Sequence, residues 1–194
     1  MLQRVVIDPS CIHPPVIVLD TKQQHYLGRV LRLKVGDRFI AMDGQGHSWL
    51  AQLIAENQSN QFRAEILEPL VMDRELPIPV KLVIALPKGN TLDDIVRQVT
   101  EIGVKQIIPV ISDRTLLKPS PQKLERWRRI AQEAAEQAER RVVPDIQHPM
   151  PFWEYLEEPQ NSSATTQHFL GVTRHQAPHL LDCLLANLPA SITI

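Results

Sequence analysis

The chain has 194 residues, a formal net charge of −1 and a hydrophobic content of 43%. This length suffices for one sizeable domain or two small ones, with a core that needs neither disulfides nor structural metals. A net charge near zero excludes a generic electrostatic binder of nucleic acid, so any RNA or DNA contact must come from a local patch. Cys11 and Cys183 lie far apart and outside any CxxC spacing, which argues against a disulfide scaffold or a zinc site.

The sequence also argues against membrane insertion and secretion. No apolar run approaches the roughly 20 residues of a membrane span. The N-terminal stretch MLQRVVIDPS lacks the apolar region of a signal peptide. We therefore expect a soluble protein of the cytoplasm, where two unpaired cysteines stay reduced.

Residues 1–72 are predicted to form a small β-barrel of five or six strands with one helix. The predicted strands are the apolar runs RVVI (4–7), VIVL (16–19), RFIAMD (38–43), HSWLAQLIAE (47–56) and FRAEILEPL (62–70). Gly44-Gln45-Gly46 predicts a hairpin turn between the third and the fourth.

The helix of this half is predicted over residues 22–31. Thr21 is its expected N-cap, with Gln24 at the spacing of a capping box. Helical periodicity turns Leu27, Val30 and Leu31 towards the core. The opposite stripe carries His25, Arg29 and Arg32, which indicates either a merely polar helix face or a contact to RNA phosphates.

The pattern changes after a linker at residues 73–79. The runs VKLVIAL (80–86) and VKQIIPVIS (104–112) predict strands buried on both faces. Between them a helix over residues 92–102 has Thr91 as its predicted cap and Leu92, Ile95, Val96, Val99 and Ile102 on its core face, and Gly103 takes the C′ position. This strand, helix and strand predict a parallel βαβ unit with a right-handed crossover.

The remaining pattern continues an open α/β sheet over residues 80–194. It predicts helices at 121–141, 151–157 and 178–187 and strands at 167–173 and 191–194. Ligands of such sheets bind beyond the carboxyl ends of the strands. The chain stops at Ile194 on an apparently buried strand, so we expect it to be incomplete.

The helix at 121–141 presents two contrasting stripes. Trp127, Ala131 and Ala134 fall on a thin apolar face, whereas Glu133, Gln137 and Arg140 are predicted on the polar face. The polar stripe indicates either a solvated face with ion pairs or a functional face, and the helix alone leaves both open.

Charged residues also follow the two predicted buried strands. Lys88 follows the first and Arg114 the second, at the edge where a phosphate or carboxylate would be bound, although ordinary loop charges remain an alternative. Glu101 opposes the dipole of its helix, which suggests Lys88 or Arg114 as its partner. His175 and His179 have helical ligand spacing, but Pro178 intervenes and no third ligand stands out, so we expect no metal site.

Four collinear segments together resemble one family. They are HYLGRVLRLKVGDRF (25–39), DGQG (43–46), Lys88 with LDDIVRQVTEIGVKQIIPVISDR (92–114), and WRRIAQEAAEQAERRVVPDI (127–146). The sequence resembles the RsmE family of small-subunit ribosomal RNA methyltransferases, which belong to the SPOUT class with its C-terminal trefoil knot. The resemblance favours the functional face for Glu133, Gln137 and Arg140.

The resemblance implies a PUA-like barrel that grips small-subunit (16S) ribosomal RNA, or the 30S subunit, through Arg4, His25, Arg29 and Arg32. It implies a second domain that transfers the methyl group of S-adenosylmethionine to N3 of a uridine. Lys88, Glu101, Arg114, Glu133, Gln137 and Arg140 are then the candidates for the active site, and Val172 and Thr173 for one wall of the methyl-donor pocket. It further implies a homodimer, and an Arg140→Ala variant with reduced activity and little loss of stability.

Departures from the family pattern leave a second reading open. Ala138 and Ile102 stand where relatives often carry Ser and Leu, and these changes are mild. The GPEGG loop and the segment that forms the knot are not found, so the alternative is an RNA-binding fragment without catalysis. An intact mass above the 22.1 kDa of these residues would favour the methyltransferase.

Overall fold

The computed structural model describes residues 2–55, 62–71, 74–116, 119–158, 166–172, 176–186 and 189–194. The chain divides into two compact units. The first unit consists of Met1–Glu75 with Ala135–Val143, and the second of Leu76–Ala134 with Pro144–Ile194. Within the described ranges, no helix has the length and apolar character that a membrane crossing requires.

A six-stranded mixed sheet forms the first unit. Its strands are β1 (Arg4–Val6), β2 (Ile12–His13), β3 (Val16–Ile17), β4 (Arg38–Met42), β5 (Ser48–Ala55) and β6 (Phe62–Pro69). They lie in the order β1-β4-β5-β6-β3-β2, with β1 parallel to β4 and the other neighbours antiparallel. Among the described residues β1 and β2 do not pair with each other, so closure into a barrel stays a prediction.

A hydrophobic cluster packs on one face of this sheet, and Ile40 and Met42 on the opposite face of β4 are buried as well. Alternate residues along a strand point to the same face, which is why Phe39 with Ala41 and Ala51 with Leu53 are buried together. Leu27 packs on the same cluster from the helical segment, as expected.

That helical segment differs from the prediction in its start and in its period. Helix α1 (Thr21–His25) has Asp20 as its N-cap, because the Asp20 carboxylate accepts the Gln23 N–H at 2.7 Å. The Gln23 side chain accepts the Asp20 N–H in return, so the capping box is one residue earlier than predicted. A π-helical turn follows at Tyr26–Val30. Its wider turn breaks the 3.6-residue period, and Val30, predicted to be inward, is exposed.

A parallel sheet organises the second unit. Its strands are β7 (Val80–Ala85), β8 (Gln106–Ile111), β9 (Asp145–Ile146), β10 (Met150–Pro151), β11 (Thr166–His168) and β12 (Ser191–Thr193). The order is β10-β8-β7-β12-β11, β9 pairs with β8, and every pairing is parallel. The prediction of a parallel strand, helix and strand unit is confirmed.

Two of the strand predictions need correction. β8 has four consecutive buried residues, but every residue of β7 is partly buried or exposed, because the described elements cover β7 incompletely. The strand predicted at 167–173 ends at His168, and Leu170 beyond it is exposed. An apolar run therefore predicted a strand correctly, but it did not predict how completely other elements cover it.

The helices of the second unit are α2 (Thr91–Glu101), α3 (Pro121–Gln137), α4 (Phe152–Glu157) and α5 (Leu180–Ala186). The last turn of α3 groups with the first unit. The cap residue of α2 is Asn90 rather than Thr91, which is the first helical residue. Leu92 and Val96 are buried as predicted, but Ile102 is exposed because it is the C-cap, where the chain leaves the helix.

Both long helices end in a Schellman arrangement. At α2, Gly103 has φ +106° and the Val104 N–H donates to the Val99 carbonyl, which confirms Gly103 at C′. At α3, the Arg140 N–H donates to the Ala135 carbonyl at 2.9 Å and Glu139 takes φ 60°. The helix therefore stops at Gln137, and the prediction that it extends to residue 141 is wrong.

Candidate functional site

The carboxyl ends of β7, β8 and β11 share one edge of the second unit's sheet, because all of these strands are parallel. Lys88 follows β7 and Arg114 follows β8, and both line one cleft of about 580 Å³. Both cations therefore lie beyond strand ends at the carboxyl edge, as the strand pattern predicted, and their role in a binding site stays a prediction. The apolar wall of this cleft includes Leu92 and Trp127.

The cleft is cationic and has no acidic side chain among its described lining residues. Lys123, near the start of α3, joins Lys88 and Arg114 as the third cation. The Lys123 Nζ donates to the Gly89 carbonyl at 2.8 Å, which ties α3 to the loop after β7. Three positive groups with hydroxyls from Thr115 and Ser120 suit a phosphate or another anion. The sequence reading missed Lys123, since nothing in its local pattern shows that α3 begins beside the Gly89 loop.

Local turns set the positions of Lys88 and Arg114. Gly89 adopts φ +73°, a left-handed conformation that glycine takes without strain and that lets the chain reverse after Lys88. Beyond β8, the Ser112 N–H donates to the Thr115 Oγ1 at 2.9 Å and the Thr115 N–H donates to the Ser112 carbonyl at 2.9 Å. This closed turn presents the Arg114 side chain, which is exposed, at the mouth of the cleft.

A buried carboxylate that the sequence reading missed joins α2 to α3. Asp93 Oδ1 accepts the Trp127 indole N–H at 3.0 Å, and Asp93 Oδ2 accepts the Arg126 Nε–H at 2.8 Å. The Trp127 side chain that forms the apolar wall is 1% exposed. A buried indole N–H requires a hydrogen-bond acceptor. A tryptophan on the predicted apolar face of α3 could therefore have indicated a polar acceptor on the facing helix.

Glu133 lies in a second cleft of about 530 Å³, between α2 and α3. Its carboxylate is 3.9 Å from Arg129 Nε, and both side chains are mostly exposed, so the pair contributes little to stability. Three arginines and three carboxylates line this cleft, which therefore has no net charge from its lining: Asp93, Asp94, Arg97, Arg126, Arg129 and Glu133. This balance makes the second cleft a weaker anion site than the first.

Glu101 does not have the partner predicted for it. Its side chain is exposed at the end of α2, and within the described part of the chain it forms no ion pair with Lys88 or Arg114. The unfavourable position of this carboxylate in the helix dipole is tolerated because solvent screens the charge.

Arg140 departs from the predicted polar stripe. It lies beyond the end of α3, in the first unit, and is buried with its Nη2 2.6 Å from Glu75 Oε2. Arg140 and Gln137 are absent from the residues that line either described cleft of the second unit. Gln137 is exposed as the last residue of α3. The geometry gives Arg140 a structural partner, and its catalytic role stays a prediction.

The four candidate RNA contacts of the first unit divide into two kinds. His25, Arg29 and Arg32 are exposed, in or just beyond the helical segment, as predicted. Arg4 has a side chain that is only 11% exposed, and its Nη1 lies 2.9 Å from Glu139 Oε1. The Glu139 carboxylate also binds Arg74. The three exposed side chains are therefore better placed for a phosphate contact than Arg4, whose charge is already paired.

Of the two residues assigned to the methyl-donor pocket, Val172 follows β11 at the carboxyl edge of the sheet and is exposed. Thr173 lies outside the described residues, as does His175 of the dismissed metal pair. Among the described residues no group of three His, Cys, Asp or Glu side chains could hold a metal ion.

Comparison with protein families identifies both parts of the chain. The family model described as an RNA methyltransferase domain matches residues 74–190. The model described as an RNA methyltransferase PUA domain matches residues 19–67. The first match covers more than half of the chain and includes both clefts.

Two curated relatives carry the name ribosomal RNA small subunit methyltransferase E. The protein from Synechocystis sp. is 44% identical over 195 residues, which cover 100% of this chain and 63% of that protein. The protein from Bacillus subtilis is 30% identical over 151 residues, which cover 76% of this chain and 59% of that protein. The chain thus spans less than two thirds of these relatives.

A solved structure shows the same fold over the whole chain. It is a ribosomal RNA small subunit methyltransferase E from Neisseria gonorrhoeae bound to S-adenosylmethionine, with a TM-score of 0.82 at 23% identity. The superposition covers 100% of this chain and 79% of that one. From the family match and the curated relatives together, this chain belongs to the RsmE family of RNA methyltransferases.

Proposed function

We propose that the protein transfers a methyl group from S-adenosylmethionine to N3 of a uridine in small-subunit ribosomal RNA. Membership of the RsmE family and the names of the curated relatives support this activity. The observation that carries it is the cleft at the carboxyl edge of the second unit, where Lys88, Arg114 and Lys123 line one cavity with no acidic side chain among its described lining residues. Such a cleft attracts a polyanionic substrate even though the chain as a whole has a charge of −1.

The cations of this cleft have a chemical task in the reaction. Uridine N3 is an imide nitrogen that must lose its proton before or during methyl transfer. A guanidinium or ammonium group close to the uracil stabilises the resulting anion and lowers the cost of losing the proton. We assign this task to Arg114 and Lys88, with Lys123 as a phosphate contact. Glu133 and Gln137 do not line this cleft. For each of them a role in the reaction is proposed from the resemblance alone.

The methyl donor fits the chemistry of the same edge. S-Adenosylmethionine supplies an electrophilic methyl group on a sulfonium when it is bound. Val172 offers exposed apolar surface beyond β11, which suits the adenine or the methionine chain of this molecule. The Neisseria gonorrhoeae structure, which is bound to S-adenosylmethionine, supports the choice of this molecule as the donor. We also propose Thr173 as a contact on the strength of the resemblance alone.

The first unit is proposed to hold the RNA. The match to a PUA domain supports this role, and so do the exposed side chains of His25, Arg29 and Arg32. The substrate is then ribosomal RNA or the 30S subunit in the cytoplasm. From the family resemblance we further propose that the first sheet closes into a barrel and that residues 73–79 link domains 1–72 and 80–194. The resemblance also supports a SPOUT-type second domain and a homodimer.

The test is a methyl-transfer assay with radiolabelled S-adenosylmethionine and small-subunit ribosomal RNA that lacks the modification. Lys88→Ala and Arg114→Ala should each reduce transfer by about 100-fold, because each removes a charge that stabilises the anion. Lys105→Ala is the matched control, since Lys105 is an exposed lysine before the opposite end of β8. Variants that transfer methyl groups at the rate of the control would overturn the assignment. Binding of RNA without any transfer would instead favour the RNA-binding alternative.

A further inference from the structure

The hairpin between β4 and β5 carries a pair of stacked rings that the reaction does not use. The ring centroids of His47 and Trp49 are 6.1 Å apart, with an interplanar angle of 26°. The two residues are two positions apart along an extended chain, so both side chains lie on one face of the hairpin. The His47 side chain is 73% exposed, whereas Trp49 is partly buried. The outer surface of this stack therefore faces solvent.

Asp43 holds the outer ring in place. Asp43 Oδ2 lies 2.6 Å from His47 Nδ1, and Asp43 Oδ1 accepts the N–H groups of Gln45 and His47 at 2.8 and 3.0 Å. An ionised carboxylate only accepts hydrogen bonds, so His47 Nδ1–H is the donor to Asp43. The Nε2 atom lies on the side of the ring away from Asp43. The imidazole is thus oriented before any ligand arrives, which lowers the entropy lost on binding.

The ligand that fits an oriented, exposed stack is an unpaired nucleobase. Proteins bind single-stranded RNA by stacking its bases on aromatic rings while cations follow the backbone. The same unit supplies exposed cations along the segment that leads into β4, with the His25 imidazole among them: Lys22, Arg29, Arg32, Lys34 and Arg38. β4 then leads directly from Arg38 to the hairpin, a distance of about 16 Å for five residues.

We propose that the His47 ring, supported by Trp49, is a stacking site for one unpaired base of RNA bound to the first unit. Asp43 is a positioning residue that sets the angle of the ring. The inference rests on the proposed function, since it assumes that this unit binds RNA. The stacking site contributes a contact to a base, whereas the exposed basic side chains contribute contacts to phosphates.

The experiment measures the affinity of the full chain for a fluorescently labelled single-stranded oligouridine at several salt concentrations. His47→Ala should weaken binding about tenfold, the cost of losing one stacked base. His47→Phe keeps an aromatic ring and should stay within about threefold of the unchanged protein. The slope of log K against log salt should be unchanged in His47→Ala, because no phosphate contact is removed, whereas Arg29→Ala should reduce it by about 0.7.

His148→Ala is the matched control, since His148 is an exposed histidine of the second unit, and circular dichroism checks that every variant is folded. An unchanged affinity of His47→Ala, with weaker binding of Arg29→Ala, overturns the stacking site and leaves the proposed function intact. A loss in His47→Phe equal to that in His47→Ala shows that the imidazole acts by hydrogen bonding and also overturns stacking. Failure of the unchanged protein to bind the probe or small-subunit ribosomal RNA overturns both proposals.

Discussion

Arg140 and Glu75 form a buried ion pair in the first unit, with Arg140 Nη2 2.6 Å and Nε 3.2 Å from Glu75 Oε2. The second oxygen of Glu75 accepts the N–H groups of Arg141 at 3.0 Å and Val142 at 3.1 Å. Arg140 is 3% exposed. A single carboxylate therefore binds three consecutive residues, and it determines the path of the chain after α3 ends.

This pair predicts that Arg140 matters for stability. Arg140→Ala leaves the partly buried Glu75 carboxylate without its cation, and we expect a loss of about 3–5 kcal/mol in the free energy of unfolding. Urea denaturation measures this loss. A double-mutant cycle with Glu75→Gln should show strong coupling, because the two side chains share their hydrogen bonds.

Arg97→Ala is the control for this experiment. Arg97 is half exposed and its Nη1 lies 3.4 Å from the Asp94 carboxylate, so its removal should change stability by less than about 0.5 kcal/mol. If Arg140→Ala were as stable as this control but deficient in methyl transfer, the ion pair would contribute little to stability and the predicted catalytic role of Arg140 would be supported.

The sequence predicted the positions of residues that follow from local patterns and from the parallel arrangement of the strands. Lys88 and Arg114 could be placed together because each follows a strand of one parallel sheet, and parallel strands end at the same edge. Gly103 was predictable because the left-handed C′ position favours glycine. These inferences need only local patterns and one rule of topology.

The sequence did not predict the position of a side chain that depends on a residue far away in the chain. Arg140 continues the helical periodicity in the sequence, so the pattern extends the helix to it. The helix ends earlier because Glu139 adopts the left-handed conformation. Glycine is the usual residue there, and its absence left no sequence signal for the helix end. The partner of Arg140 is 65 residues away in sequence, at Glu75. The roles of Asp93 and Lys123 likewise depend on how α2 and the Gly89 loop pack against α3. Periodicity describes one helix and carries no information about such contacts.

The contact between Asp93 and Trp127 predicts a graded response to substitution. Asp93→Asn keeps an acceptor for the indole N–H and loses the ion pair with Arg126, so we expect a loss of about 1 kcal/mol. Asp93→Ala leaves the buried indole N–H without an acceptor and should cost about 2–3 kcal/mol. Thermal or urea unfolding gives both values. Asp94→Ala, which removes the neighbouring exposed carboxylate, should be nearly neutral, and equal losses for the two Asp93 variants would contradict the role of the indole bond.

Gly103→Ala is expected to destabilise the second unit by about 1–3 kcal/mol. Gly103 has φ +106°, which strains any residue with a Cβ, and a Cβ built there would lie 2.7 Å from Leu76 Cγ. Adding Leu76→Ala should remove the steric conflict but not the strain, so the two changes should cost less together than separately. Gly171→Ala is the control, because a Cβ at Gly171 has no neighbour within 4 Å. A neutral Gly103→Ala variant would show that the end of α2 adjusts without cost.

The hairpin that holds His47 should contribute to the acid sensitivity of the protein. Burial raises the pKa of Asp43, but hydrogen bonds from the His47 side chain and from the N–H groups of Gln45 and His47 outweigh it, and the pKa lies below its ordinary value of 3.8. The unfolded chain then binds this proton more readily than the folded one. The stability that Asp43 contributes is therefore present above about pH 3.8 and is lost as the pH falls through the lower pKa of the folded state.

Asp43→Asn should be less stable at neutral pH, and its free energy of unfolding should fall less steeply on acidification. Urea denaturation between pH 7 and about pH 3 measures both curves. Parallel curves would mean that the contact with His47 does not favour the ionised carboxylate.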